Sequence, residues 1–216
     1  MTDEAIERLH AKASRADYAS MARLAKALYA HGAHPREVLR RCYGVDFPPE
    51  YFLIAGQRRS GLHLLVTFTN QPWKLGVPPS QGGSMPGPYQ LIERTERRIF
   101  ARDPDLVPLM RLSGFGLKVY DTVICYRLTE LRQGAATVFG IKQRANPDDA
   151  VVRLGDSMLE VLHAHHVDHV HHLEWVLEQP WNRGFGALDR KSVEDVRSLV
   201  EQIEDLMTRP PAVSDE

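Results

Sequence analysis

The sequence is poor in cysteine, in charge of one sign and in long apolar runs. Only Cys42 and Cys125 occur among its 216 residues, too few for a disulfide framework and in no CxxC spacing. The formal net charge is -1, so the Lys/Arg excess that marks a nucleic-acid binder is missing. No apolar run approaches the roughly 18 residues of a membrane span. Residues Met1 to Lys12 hold no apolar signal-peptide core. Together these absences predict a chain of the reducing cytoplasm, with no nucleic-acid and no membrane partner. What is present, 43% hydrophobic residues over this length, is enough to bury a proper core.

Periodicity divides the chain into three parts. In the first thirty residues Ile6, Leu9, Ala13, Met21, Leu24 and Leu28 recur at helical intervals, which predicts one helix over 3–31 ending at Gly32. Pro35 suits a first helical position, so a short helix is expected over 35–42 and a stop at Gly44. Another begins at Pro49. Strand composition follows at Leu62–Thr69, Arg98–Phe100, Thr122–Tyr126 and Ala136–Ile141, read as an antiparallel meander. The last third is helical: one long helix near 157–179, its pattern running back to Leu154, and a second over 192–208. The second carries Val193, Val196, Val200, Ile203 and Met207 at 3-4-3-4 spacing, a narrow stripe for packing on something. Segregated helices and strands give an α+β fold, a central antiparallel sheet flanked by helices, with an N-terminal helix and a C-terminal helix pair. Residues 1–34 form a helical extension packed on a single domain of residues 35–208, and 209–216 a flexible tail.

Several motifs invite a chemical reading. Gly155-Asp156-Ser157-Met158 is similar to the nucleophile segment of GDSL-type hydrolases, and Asp168-His169-Val170-His171 has the DxxH spacing of their base. If Ser157 opens the helix that holds Asp168, the two stand about 16 Å apart along its axis, whereas a serine and its base must meet within about 3 Å. Ser157 with Glu160 reads better as a capping box. His163, His165, His166, His169, His171 and His172 form a histidine-rich stretch, in which His165, His169 and His172 share one helical stripe. Such a stripe can hold zinc, copper, nickel or iron if another element adds a ligand. It can equally be half-buried packing, and no HExxH motif accompanies it. Gly114-Phe115-Gly116 is too short for a dinucleotide fingerprint, and no P-loop occurs. Arg94, Arg97 and Arg98 read as a solvated strand edge. Both cysteines sit among apolar residues, as packing thiols do. No catalytic residue, cofactor site or metal site is assigned, and the chain is expected not to be an enzyme.

Tyr43-Gly44-Val45-Asp46-Phe47-Pro48-Pro49-Glu50-Tyr51-Phe52-Leu53 resembles the Gly-hydrophobic-x-Leu-Pro-x-x-Tyr entry of the SUKH superfamily, which includes the yeast Smi/Knr-type cell-wall regulators. Thr122-Val123-Ile124-Cys125-Tyr126 is similar to a strand of that group, and Leu154 to Leu162 to the start of its closing helix. Here Phe47 stands for the usual Leu and Met158 for the usual Phe, while Gly56 to Gly61 lacks the family's Gly-Gly. The resemblance implies a non-enzymatic cytoplasmic protein that binds another protein. Bacterial members are typically immunity proteins that neutralise a cognate toxin, so the partner implied is such a toxin or a secretion-associated protein. Their contact residues vary, and none carries over.

The segment from Gln71 to Tyr89 holds prolines 72, 78, 79, 86 and 88 with glycines 76, 82, 83 and 87. Long loops of this kind are uncommon unless they have a role. The tip, Pro78 to Pro86, is therefore the candidate docking surface, while Trp73 and Leu75 have the alternative of folding back over the sheet. Two other classes stay open: a metal-binding protein or enzyme built on the histidine helix 163–172, and a homo-oligomer pairing through the 192–208 helix.

Overall fold

The computed structural model describes residues 3–59, 64–83, 90–112, 122–142, 150–183 and 188–208. The chain begins with helices α1 (Asp3–Lys12), α2 (Tyr18–Ala30), α3 (Pro35–Tyr43) and α4 (Pro49–Arg59). Strand β1 (Val66–Phe68), a 3-10 turn (Pro79–Gln81) and helix α5 (Gln90–Arg102) come next. Then follow β2 (Leu106–Leu112), β3 (Thr122–Arg127), α6 (Leu128–Arg132), β4 (Val138–Lys142), β5 (Val152–Gly155), α7 (Met158–Glu178) and α8 (Arg190–Thr208). The fold is α+β, and the sheet runs β1-β2-β3-β4-β5 in chain order with every neighbour antiparallel.

The expected first helix is in fact two. Side chains of the small polar residues at 14–20 compete for the backbone there. The Ser14 amide donates to Ser20 Oγ at 2.9 Å, and Asp17 accepts from the Ala19 amide at 3.1 Å as the cap of α2. Tyr18, Met21, Leu24, Ala25 and Leu28 belong to the same core as the sheet residues Val107, Met110, Ile124, Tyr126 and Val138. Gly44 closes α3 as expected, in the left-handed region at φ 68°, its amide donating to the Arg40 carbonyl at 2.8 Å.

Two strand expectations change. Arg98-Ile99-Phe100 lies in α5, where Thr95, Glu96, Ile99 and Phe100 make one buried face at helical spacing, so Arg94, Arg97 and Arg98 line an exposed helix face and not a strand edge. Of Leu62–Thr69 only Val66–Phe68 pairs as strand, and Leu62 lies outside the described residues. Conversely, Leu106–Leu112 is a strand the sequence hides: Pro108 interrupts it and nearly every residue is buried, so no alternation shows. A register shift between Pro108 and Met110 absorbs the proline.

The sheet is covered on both faces. The main core fills one. On the other, Leu106, Val123, Cys125 and Ile141 pack with Ile99 of α5. Leu154, expected to begin the long helix, belongs instead to the edge strand β5, and α7 starts after Ser157. Helices α7 and α8 enclose a second, smaller core of Val170, Leu173, Val193 and Val196. The α8 stripe is therefore turned inward: Ile203 and Leu206 join the main core, Val200 packs against the smaller one, and Met207, expected in the stripe, is exposed. Among the described residues no helix is long and apolar enough to cross a membrane. The tail 209–216 lies outside the described residues.

Candidate functional site

Ser157 is where the hydrolase motif would need a base, and its neighbour is a carboxylate from another helix. Glu50 in the first turn of α4 reaches the N-terminus of α7: its Oε2 accepts from the Ser157 hydroxyl at 2.6 Å, and its Oε1 accepts from the Met158 amide at 2.8 Å. Glu50 Oε1 also accepts from the Tyr126 hydroxyl at 2.8 Å. Ser157 Oγ in turn accepts from the Glu160 amide at 3.4 Å, the capping interaction read from the sequence. A helix N-terminus leaves amides unanswered and favours a negative charge, and Glu50 supplies both remedies. Serine, carboxylate and amides satisfy one another.

The histidines separate in the same way. His165, His166 and His169 are buried, His172 half-buried and His171 exposed. His166 Nδ1–H donates to the Leu162 carbonyl at 2.7 Å, and its Nε2 accepts from the Leu65 amide at 3.2 Å. Both ring nitrogens are thus occupied in one neutral tautomer. Burial pushes His166 down to about 4, with the neighbouring histidines adding to the effect. His169 falls to about 4 as well, by burial first and then by His165 and His172. His163 Nε2 stands 2.9 Å from Glu204 Oε1 and ties α7 to α8. Among the described residues no group of three or more His, Cys, Asp or Glu side chains is arranged to hold a metal ion. The thiols are likewise held protonated: burial raises Cys42 to about 12 and Cys125 further.

The proline-rich loop starts inside the protein. Trp73 and Leu75 are buried, the folded-back alternative. Trp73 stacks on Tyr51 with centroids 4.4 Å apart and donates its indole N–H to the Leu109 carbonyl. The Tyr29 hydroxyl donates to the Leu75 carbonyl at 3.0 Å. Pro79–Gln81 forms a 3-10 turn closed by Gly82 at φ 83°. The rest of the tip, with Met85 and Pro86, lies outside the described residues, as do Tyr89 and Gly114-Phe115-Gly116.

The surface feature that sequence reasoning missed is at the end of α7. Trp175 is 49% exposed and Trp181 63% exposed, with ring centroids 6.3 Å apart. His172 stacks on Trp175 at 5.9 Å, so three rings form one row. The backbone beneath is fixed. The Gln179 side chain donates to the Trp175 carbonyl at 2.9 Å, and the Arg183 amide to the Trp181 carbonyl at 2.9 Å. Asn182 exchanges two hydrogen bonds with Leu188, at 3.1 and 2.8 Å. Trp175 could have been singled out in the sequence, because it lies two residues from Leu173 and so about 200° around the helix from the apolar arc.

No family model, no curated protein and no solved structure matches this chain.

Proposed function

We propose that the chain is a non-enzymatic protein-binding module of SUKH-like build, an immunity protein that binds and neutralises a cognate toxin in the cytoplasm. The observation that carries the binding role is the Trp175–Trp181 pair: two large, exposed, adjacent rings held on a hydrogen-bonded turn. Tryptophan dominates binding hot spots, and a surface already fixed in place loses little entropy on docking. The row His172–Trp175–Trp181 replaces the tip Pro78 to Pro86 as the contact surface we favour.

The specific, SUKH-like reading draws support from another contact. The three segments that carry the resemblance, around Pro49-Glu50-Tyr51, Tyr126 and Ser157-Met158, meet at the Glu50 carboxylate. Short motifs far apart in sequence are then parts of one structural junction.

Co-expression of this chain with the product of the adjacent gene tests the function. Rescue of growth from a toxic neighbour, together with co-purification, is the expected result. A chain that neither binds nor protects against any neighbouring product would overturn the immunity reading.

A further inference from the structure

Segment Thr69–Gly76 is interior backbone outside regular secondary structure, and such backbone needs its polar groups answered. Internal turns meet part of the need: the Lys74 amide donates to the Asn70 carbonyl at 2.8 Å and the Gly76 amide to the Pro72 carbonyl at 2.9 Å. Gln71 is tied outward. Its side-chain nitrogen donates to the Arg15 carbonyl at 3.0 Å, and its side-chain oxygen accepts from the Tyr43 hydroxyl at 3.2 Å. Its backbone amide donates to Glu96 Oε1 at 2.7 Å.

Glu96, from the buried face of α5, is 1% exposed, and its Oε2 has no hydrogen-bond partner among the described residues. The charged groups around it do not neutralise it. Lys74 of the segment favours the carboxylate, while Glu93 on α5 opposes it. The phenols of Tyr18 on α2 and Tyr43 on α3 are held neutral by burial first, with the Glu96 charge a smaller contribution to both. The Arg15 guanidinium is spent on the Pro104 and Leu106 carbonyls and the Phe100 ring. Among the described residues no salt bridge reaches Glu96.

We propose that Glu96 is a proton-dependent latch: protonated, it lets α5 close on Thr69–Gly76; ionised, it draws water in and loosens that segment. The neutral acid suits the site, since its carbonyl oxygen still accepts from Gln71 and an unmet hydroxyl costs less than an unmet charge. Burial pushes the group up to about 7, against the pull of the Gln71 and Asn70 amides. A folded value above the ordinary 4.5 means that the closed form keeps a proton the open form has lost. The closure is therefore complete at and below pH 4.5 and weakens as pH rises through 7.

The test is a carbon-13 carboxyl NMR titration of Glu96 in the full chain, with amide exchange at Gln71 and Trp73–Gly76, corrected for intrinsic rates. Glu96 is expected to titrate near neutrality, and those amides to open about thirtyfold more at pH 8.5 than at pH 5.5. In Glu96→Gln the opening should not depend on pH. A Glu96 value within one unit of 4.5 would overturn the proposal. So would equal opening at both pH values, or an unchanged pH dependence in Glu96→Gln. If that variant fails to fold, the carboxyl titration of the unaltered chain still decides.

Discussion

The Glu50 carboxylate and the Ser157 hydroxyl, 107 residues apart in sequence, meet at 2.6 Å and join α4 to the start of α7. The same carboxylate accepts from the Met158 amide and the Tyr126 hydroxyl, so helix, helix and sheet share one anion.

Removing that anion should cost more than removing the serine. Glu50→Ala strands a helix amide and a tyrosine hydroxyl and is expected to lose about 3 kcal/mol. Ser157→Ala loses a cap worth about 1 kcal/mol. Urea unfolding of both variants checks the order. A costlier Ser157→Ala would mean that Ser157, not Glu50, holds the junction.

The buried histidines give a pH response of opposite sign to Glu96. His166 and His169 titrate near 4 when folded, against an ordinary 6.5, so the folded chain binds fewer protons than the unfolded chain between those values. Their contribution to stability is complete above pH 6.5 and is lost as pH falls toward 4. Imidazole NMR titration should place both near 4, and stoichiometric zinc should leave the His166 signals in place. A His166 value near 6.5, or a zinc-induced shift of its resonances, would contradict the assigned tautomer.

The three tryptophans should divide two to one. Acrylamide is expected to quench Trp175 and Trp181 and to spare Trp73, which is 2% exposed. Trp73→Ala should cost about 3–5 kcal/mol through the cavity it leaves. Trp181→Ala should change stability by less than about 0.5 kcal/mol. Equal quenching of all three would show that Trp73 is not in the core.

On α8, Ile203→Asp should unfold the chain, because Ile203 is fully buried in the main core, whereas Met207→Asp should be tolerated. Circular dichroism with light scattering separates these outcomes. A folded Ile203→Asp monomer arising from a wild-type oligomer would instead favour self-association through this helix.

The elements legible in the sequence were those whose local chemistry agreed with their environment. Pro35 and Gly44 bracket α3 by backbone preference alone, and Ser157 opens α7 by its side chain. Thr122–Tyr126 reads as strand because its residue types suit no helix surface. What escaped reading depends on tertiary partners. Leu106–Leu112 is covered on both faces and carries Pro108, so neither alternation nor propensity marks it. Ile99 and Phe100 are β-formers held in a helix by the face they share with Thr95 and Glu96. The α1–α2 break depends on side-chain bonds of Ser14, Asp17 and Ser20 that helical spacing does not reveal. At the surface, the Pro78–Pro86 tip stands out by composition alone, while Trp175 and Trp181 become neighbours only when the chain turns at Pro180 and Asn182 bonds to Leu188.

The most direct measurement is titration calorimetry of the neighbouring gene product against this chain and its Trp175→Ala/Trp181→Ala variant, each first shown to be folded. The expected result is tight binding to the unaltered chain and at least a hundredfold loss in the variant, corresponding to about 3 kcal/mol. Equal affinity for both would contradict a toxin-binding surface centred on the tryptophan pair.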